Sequence, residues 1–245
     1  MHSFSDALNL IDYSKAGFNL LKVEYTRSTE HKRITLGLPI KIKNFLENLR
    51  SALDFSAHNL YEKFGNPSKP PKIIYFPYAW IGATAKEFDK KVEIYLPGIK
   101  SSRPDIYELL NSYQYYCSDE NIWLPQFMEL TNANKHRKLT IQTINEIDQL
   151  VIDLSVPDSK LFIRGEGVIH MGENAIIESK HGSIIGEQII SLKTPALKNI
   201  QGNVKSEINK HASIHFESNN EEVIPFLDKT LNRVSTIITE LSNLD

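Results

Sequence analysis

Apolar residues follow a helical period over much of the first half of the chain. Residues 5–28 repeat an apolar position every three or four residues, which predicts an amphipathic helix capped by Ser5 or Asp6. A longer stripe follows Pro39, which suits the first turn of a helix, and the Gly- and Pro-rich residues 65–71 end it. Three shorter helices are predicted over residues 83–94, 104–116 and 118–136.

The central part of the chain has the alternating pattern of β-strands. The period changes to two at Lys138, and short segments rich in β-branched residues follow, separated by Gly, Asn, Asp and Pro. These segments are residues 149–155, 160–164, 167–171, 174–179, 184–192 and 211–217. Their spacing predicts an antiparallel sheet or a small sandwich.

The helical period returns in the last segment, where apolar residues step by three and four from Ile224 to Leu241. This pattern predicts a helix that packs back on the N-terminal helices. The alternative is a short dimer seam, because the apolar positions repeat as regularly as those of a heptad.

Together these patterns predict an α+β protein in three parts. Residues 1–137 form a helical bundle, residues 138–217 form an antiparallel β-rich unit, and residues 218–245 form the C-terminal helix. The β-rich unit is therefore inserted before the helix that completes the bundle.

Composition and charge narrow the class of protein. Apolar residues make up 41% and charged residues 24% of the chain, close to the average of globular proteins, which argues against a disordered chain. The net charge of −2 argues against a strongly basic nucleic-acid binder. The charge is uneven, however, because residues 1–137 carry 18 Lys and Arg against 15 Asp and Glu, whereas residues 138–245 carry 10 against 15.

The sequence carries no sign of secretion or of membrane insertion. Cys117 is the single cysteine, so an internal disulfide is impossible and a reducing compartment is expected. The N-terminal residues lack the basic and apolar regions of a signal peptide, and no apolar run reaches the roughly 18–20 residues that span a bilayer. We therefore expect a cytoplasmic protein without a membrane partner.

Metal and cofactor sites find no support in the sequence. His211 and His215 lie in a predicted strand, about 13 Å from each other at the usual rise per residue, which is too far to share one metal ion. No phosphate-binding loop, dinucleotide fingerprint or nucleophile elbow is present. We expect neither a metal site nor a cofactor.

The longest predicted helix carries charged and aromatic residues outside its apolar stripe. On a helical wheel, Arg50, Asp54 and His58 share a polar flank, while Phe55 lies on the far side of the helix. The spacing of Arg50 and Asp54 suits an ion pair, which either is structural or forms part of a groove. Phe55 is either an isolated exposed aromatic or a contact covered by a neighbouring helix or a second subunit.

A second polar cluster ends the helix predicted before the β-rich unit. This cluster consists of Lys135, His136 and Arg137. The cationic side chains either interact favourably with the negative end of the helix dipole or bind an anion such as phosphate. In the second case His136 could transfer a proton. Asn132 and Asn134 are candidates to cap the helix end.

These two stretches resemble the signatures of a widespread uncharacterised bacterial family. Residues 48–55 read N-L-R-S-A-L-D-F against N-L-R-S-A-L-D-H, residues 132–137 read N-A-N-K-H-R against N-x-D-K-H-R, and Phe76-Pro77 matches an intervening F-P motif. The resemblance covers roughly residues 40–140. The first signature is similar to the Arg/His motif of the HEPN superfamily, helical bundles that often dimerise and include metal-independent ribonucleases and RNA-binding modules.

This chain departs from the signatures at two positions. Phe55 stands where the family has His, and Asn134 stands where it has Asp. Because phenylalanine cannot transfer a proton, the resemblance implies a ribonuclease activity that is weak or lost unless His136 or His58 replaces the missing imidazole.

The resemblance thus implies an RNA-associated module, in which Arg50 and His136 approach each other within reach of one phosphate. The candidate catalytic residues are Arg50, Asp54 and His136, and the candidate phosphate-binding residues are Asn132, Lys135 and Arg137. The alternative is a non-catalytic interaction protein, a homodimer formed through Phe55 or the final helix.

Overall fold

The chain consists of a helical unit and a strand unit. The computed structural model describes residues 4–136, 139, 142–153, 160–164, 168–171, 176–179, 182–185, 188–191, 200–202 and 205–245. The helical unit comprises Met1–Thr143 and Ile214–Asp245, and the strand unit comprises Ile144–Ser213. The predicted α+β class is confirmed, since helices and antiparallel strands are both present.

The predicted helices are present. They are α1 (Ser5–Glu30), α2 (Gly37–Phe64), α3 (Ala85–Tyr95), α4 (Ile99–Ser102), α5 (Pro104–Ser112), α6 (Trp123–His136) and α7 (Val223–Asn243). Two 3-10 turns, Tyr115–Cys117 and Asp119–Ile122, join α5 to α6. None of the helices in the described part of the chain combines the length and the apolar composition that a bilayer span requires.

Helix ends differ from the predicted ends in several places. The first helix begins directly after Phe4, so Ser5 and Asp6 lie inside it and neither caps it. The helix predicted from residue 118 starts as a 3-10 turn, which Ser118 caps, since its Oγ accepts the N–H of Glu120 (3.3 Å). The sequence did not predict α4, because four residues are too few to show a helical period.

The hairpin of α1 and α2 forms the centre of the helical unit. The rings of Phe18 and Phe45 lie 5.4 Å apart across the two helices. At the turn, the hydroxyl of Thr35 donates to a carboxylate oxygen of Glu24 (2.9 Å), which fixes the start of α2 against the end of α1. The apolar stripe of α2 is buried, at Leu38, Ile42, Phe45, Leu46, Leu49, Ala52, Leu53, Ala57 and Leu60. Each large side chain of this stripe contributes about 1.5–3 kcal/mol by leaving water.

The final helix packs back on the N-terminal helices, as predicted. Its apolar stripe is buried at Val223, Phe226, Leu227, Leu231, Val234, Ile237, Ile238 and Leu241. Hydrogen bonds fix both ends, from Tyr25 to Glu222 (2.8 Å) and from Tyr113 to Glu240 (2.6 Å). The stripe therefore serves the core of the chain and not a dimer seam.

The strands within the described ranges form three small antiparallel sheets. They are β1 (Gln142–Asp153), β2 (Lys160–Arg164), β3 (Val168–Met171), β4 (Ile176–Ser179), β5 (Gly182–Ile185), β6 (Gln188–Ser191), β7 (Ile200–Gly202) and β8 (Lys205–Phe216). The strand orders are β2-β1-β8, β3-β6 and β4-β5-β7. In the first sheet Leu150 lies opposite Ile163, and both side chains are buried. The predicted segment 184–192 covers parts of two strands, β5 and β6.

A small polar cluster connects α3, α4 and α5. Tyr107 and Lys100 both donate to the carboxylate of Asp89, and the Lys100 ammonium lies 2.9 Å from that carboxylate and 4.3 Å from the centre of the Tyr107 ring. Partial burial disfavours the charged form of Asp89, but the two hydrogen bonds outweigh it and lower the pKa of Asp89 below its ordinary value of 3.8. The folded state therefore favours the ionised carboxylate.

We predict that Asp89→Asn destabilises the fold at neutral pH by about 0.5–1 kcal/mol, a small effect because the pair is partly screened by solvent. A carboxyl group whose pKa is lower in the folded than in the unfolded protein stabilises the fold at pH values above its ordinary pKa. This stabilisation is lost as the pH falls through the pKa of the folded state. The difference between wild type and variant in urea unfolding should therefore shrink below pH 3.8. Asp12→Asn, in an exposed pair on α1, is the control. A difference that persists in acid would contradict the assignment.

Candidate functional site

Arg50 and Asp54 form the ion pair that their spacing predicts. The Nε of Arg50 donates to a carboxylate oxygen of Asp54 at 3.1 Å, one turn further along α2. The prediction of a shared polar flank needs a correction, because Arg50 is only 7% exposed. Neighbouring segments cover this side of α2, which a wheel drawn for one helix does not include. His58, by contrast, is exposed.

Asp54 also holds the segment that follows α2. Its second oxygen accepts the backbone N–H of Phe76 at 2.9 Å. Phe76 is fully buried and Pro77 is buried beside it, so the F-P motif anchors residues 73–81, which we call the aromatic segment. One carboxylate therefore satisfies both a buried cation and a backbone donor in a segment that has no strand or helix to satisfy it.

The guanidinium of Arg50 lies between the aromatic segment and α6. Its carbon lies 5.7 Å from the centre of the Tyr75 ring and 5.5 Å from that of Tyr78, within the range of cation–π attraction. A terminal nitrogen contacts the sulfur of Met128 on α6. Among the described residues, Asp54 and Met128 are the hydrogen-bond partners of this guanidinium. Arg50 thus joins three segments that lie far apart in the sequence.

Asn132 belongs to the same cluster. Its Nδ2 donates to the hydroxyl of Tyr78 at 3.3 Å, so the ring that covers Arg50 also contacts the start of the second signature. The suggestion that Asn132 caps the helix end is wrong, because α6 continues to His136. Asn132 is exposed and lies one turn before that end.

The remaining residues of the second signature lie beyond what the structure describes. Arg137 is outside the described residues, and of Lys135, His136 and Asn134 only the helical backbone is described. The backbone of His136 lies two turns beyond that of Met128, which is about 12 Å along the axis of α6. The expected approach of His136 to Arg50 therefore stays a prediction.

Phe55 is exposed, as one of its two interpretations requires. Its side chain is 48% accessible on the outer side of α2, next to Asp54 in sequence but on a different face. Whether a second subunit covers Phe55 stays a prediction.

A cavity of about 390 Å³ lies beside this cluster, between the aromatic segment and α6. Its lining residues are Tyr78, Trp80, Ile81, Pro125, Glu129 and Asn132. Sequence reasoning had selected only Asn132 from this set. One signal was available, because Pro125, Glu129 and Asn132 are spaced by four and three residues and so share one face of α6. The opposite wall of the cavity could not be recognised in this way. It belongs to the aromatic segment, which is irregular and shows no helical or strand period in the sequence.

Metal ligation finds no geometric basis in the described part of the chain. No group of three or more His, Cys, Asp or Glu side chains there could hold one ion. His211 and His215 both lie on β8, the strand in which the sequence places them.

Comparison with known proteins returned no similarity. No protein-family model matches this chain, and searches of the curated proteins and of the solved structures found no significant match. The resemblance to the bacterial family and to HEPN bundles therefore stays a prediction.

We predict that Asp54→Ala lowers the free energy of unfolding by about 3 kcal/mol, because it leaves the Arg50 cation buried without its partner. Asp54→Asn should cost less, since the amide oxygen still accepts the Phe76 N–H. Urea unfolding of the two variants measures the difference. Asp228→Ala, at an exposed position of α7, provides the control. A loss below about 1 kcal/mol in Asp54→Ala would mean that solvent already screens the pair.

Proposed function

We propose that this protein is an RNA-associated module whose site lies where α2, the aromatic segment and α6 meet. The observation that carries the proposal is the contact among the three stretches that the family resemblance groups together. Arg50 and Asp54 represent the first signature, Phe76 the F-P motif and Asn132 the second signature, with Tyr78 linking them. Packing alone does not require polar residues from three distant stretches to meet at one place.

The chemistry of this surface suits single-stranded RNA. Tyr75 and Trp80 are 39% and 43% exposed, and the Lys91 ammonium lies 5.8 Å from the centre of the Trp80 ring. Exposed rings stack on unpaired bases, while cations nearby bind phosphates. Lys135 and Arg137 are the proposed phosphate contacts, together with Asn132.

Within this proposal the buried pair and the histidine have different roles. Arg50 and Asp54 form an ion pair with each other and hold the tyrosine rings in place. A phosphate can contact Arg50 only through the part of the guanidinium that Tyr75 and Tyr78 do not cover. His136 is the proposed proton-transfer group. Because Phe55 occupies the position where the related signature has His, we propose a ribonuclease activity that is weak or lost and that needs no metal.

We predict that the protein binds a short single-stranded RNA with an affinity that falls as salt rises. Replacing Lys135 and Arg137 by Ala together should reduce the slope of log K against log salt by about 1.4, the effect of two phosphate contacts. The control is Lys22→Ala with Arg27→Ala, two exposed cations on α1. Fluorescence anisotropy at several salt concentrations measures the slopes. Absence of binding at low salt, or equal slopes for both double variants, would refute the proposal.

We predict only slow cleavage of the same RNA in EDTA, and a further loss of about 100-fold or more in His136→Ala if this residue is the general base. His31→Ala, at an exposed position directly after α1, is the matched control. Cleavage that survives His136→Ala unchanged would exclude His136 from catalysis.

A second candidate function, a non-catalytic interaction protein, is favoured by one observation. Phe55 is exposed on α2, and Tyr13, Leu20 and Val23 are also exposed along α1. Solvent-exposed apolar side chains of this size favour contact with another surface. We predict that sedimentation detects a homodimer that Phe55→Asp dissociates, whereas Ile94→Asp, at an exposed apolar position of α3, does not. An unchanged oligomeric state of the Phe55→Asp variant would refute this interface.

A further inference from the structure

The cavity beside Tyr78 has two unlike walls. Pro125, Glu129 and Asn132 project from one face of α6, and Trp80 and Ile81 face them from the aromatic segment. Its volume of about 390 Å³ falls in the range of small-molecule sites. Apolar surface from Pro125, Ile81 and the indole ring of Trp80 suits a flat ligand, since an exposed indole stacks on planar heterocycles.

The polar groups of the cavity form an ordered set. The amide of Asn132 donates to the Tyr78 oxygen, so the Tyr78 proton and the second amide proton of Asn132 are available to a ligand acceptor. Glu129 is exposed and, within the described part of the chain, has neither a hydrogen bond nor an ion pair. Its ionised carboxylate offers two acceptors and no donor. The cavity thus presents donors from Tyr78 and Asn132 beside a pair of acceptors from Glu129.

This set complements one nucleobase. The Watson–Crick edge of guanine presents an acceptor, O6, followed by two adjacent donors, the N1–H and the exocyclic amino group. Adenine and cytosine each present one donor group on this edge, and uracil has its single donor between two acceptors. Only guanine places two neighbouring donors against one carboxylate.

We propose that this cavity binds guanine, with the base stacked on Trp80, its N1–H and amino group donating to Glu129, and its O6 accepting from Tyr78 or Asn132. The guanine belongs either to a free nucleotide or to an unpaired residue of RNA. In the second case the proposal rests on the RNA-associated function and specifies which base that site reads.

Titration with nucleoside monophosphates tests the pocket without RNA. Guanosine monophosphate should bind about 10-fold more tightly than inosine monophosphate, which lacks the amino group, and than adenosine monophosphate. Quenching of tryptophan fluorescence reports occupancy, because Trp80 is exposed whereas Trp123 is 1% exposed. Trp80→Leu lacks this fluorescent reporter, so calorimetry measures its dissociation constants instead. We expect this variant to bind every nucleotide more weakly. Equal binding of the three nucleotides, or no binding of any, would overturn the proposal.

Glu129→Gln tests the carboxylate itself. The amide keeps one acceptor and adds a donor that faces the guanine N1–H, so guanosine monophosphate should bind about 10-fold more weakly while adenosine monophosphate is unaffected. Glu30→Gln, at an exposed position of α1, should leave every constant unchanged. Unfolding midpoints identify any variant that fails to fold. Undiminished binding of guanosine monophosphate to a folded Glu129→Gln would overturn the proposal.

A pair of single-stranded RNAs, one with guanine and one with inosine at the same positions, separates the two sources of the base. Tighter binding of the guanine RNA assigns the pocket to RNA. RNA binding without any guanine preference leaves the RNA-associated function intact; it overturns the pocket if guanosine monophosphate is not preferred either, and assigns the pocket to a free nucleotide if it is. Binding of guanosine monophosphate but of neither RNA supports the pocket as a nucleotide site and removes the RNA-associated function.

Discussion

The buried ion pair of Arg50 and Asp54 is the constraint on which the rest of the site depends. A guanidinium that is 7% exposed is tolerated only with a charged partner, and a backbone N–H in an irregular segment needs an acceptor. Asp54 provides both at once, with one oxygen for Arg50 and the other for Phe76. Loss of this carboxylate therefore removes the charge balance of α2 and the anchor of the aromatic segment together.

This anchor determines where the aromatic rings lie. Residues 73–81 have no regular hydrogen-bonded structure of their own, so their course depends on the Asp54 contact and on the burial of Phe76. Tyr75 and Tyr78 lie over the guanidinium as a result, and Trp80 reaches the cavity beside α6. The proposed binding of RNA and of guanine uses surfaces that exist only because this segment is held in one conformation.

Part of the site followed from residue types and spacing, and part did not. Arg50, Asp54 and Asn132 were identifiable because they are polar residues within helical patterns and match the quoted signatures. Trp80, Ile81 and Glu129 were not, since a tryptophan in an irregular segment and an exposed glutamate on a helix are both common. An aromatic residue within a helical pattern can be buried in the core, as Trp123 is, whereas Trp80 of the site is exposed.

The sequence by itself determined every helix except the four-residue α4, the antiparallel character of the central strands and the return of the final helix to the bundle. Periodicity records which face of an element is buried, and this information is local. Helix ends, such as the uncapped start of α1, and the division of residues 184–192 between two strands depend on contacts with other segments. Only the tertiary structure decided that the flank carrying Arg50 is covered and that a cavity opens beside Asn132, because both require segments from distant parts of the chain to meet.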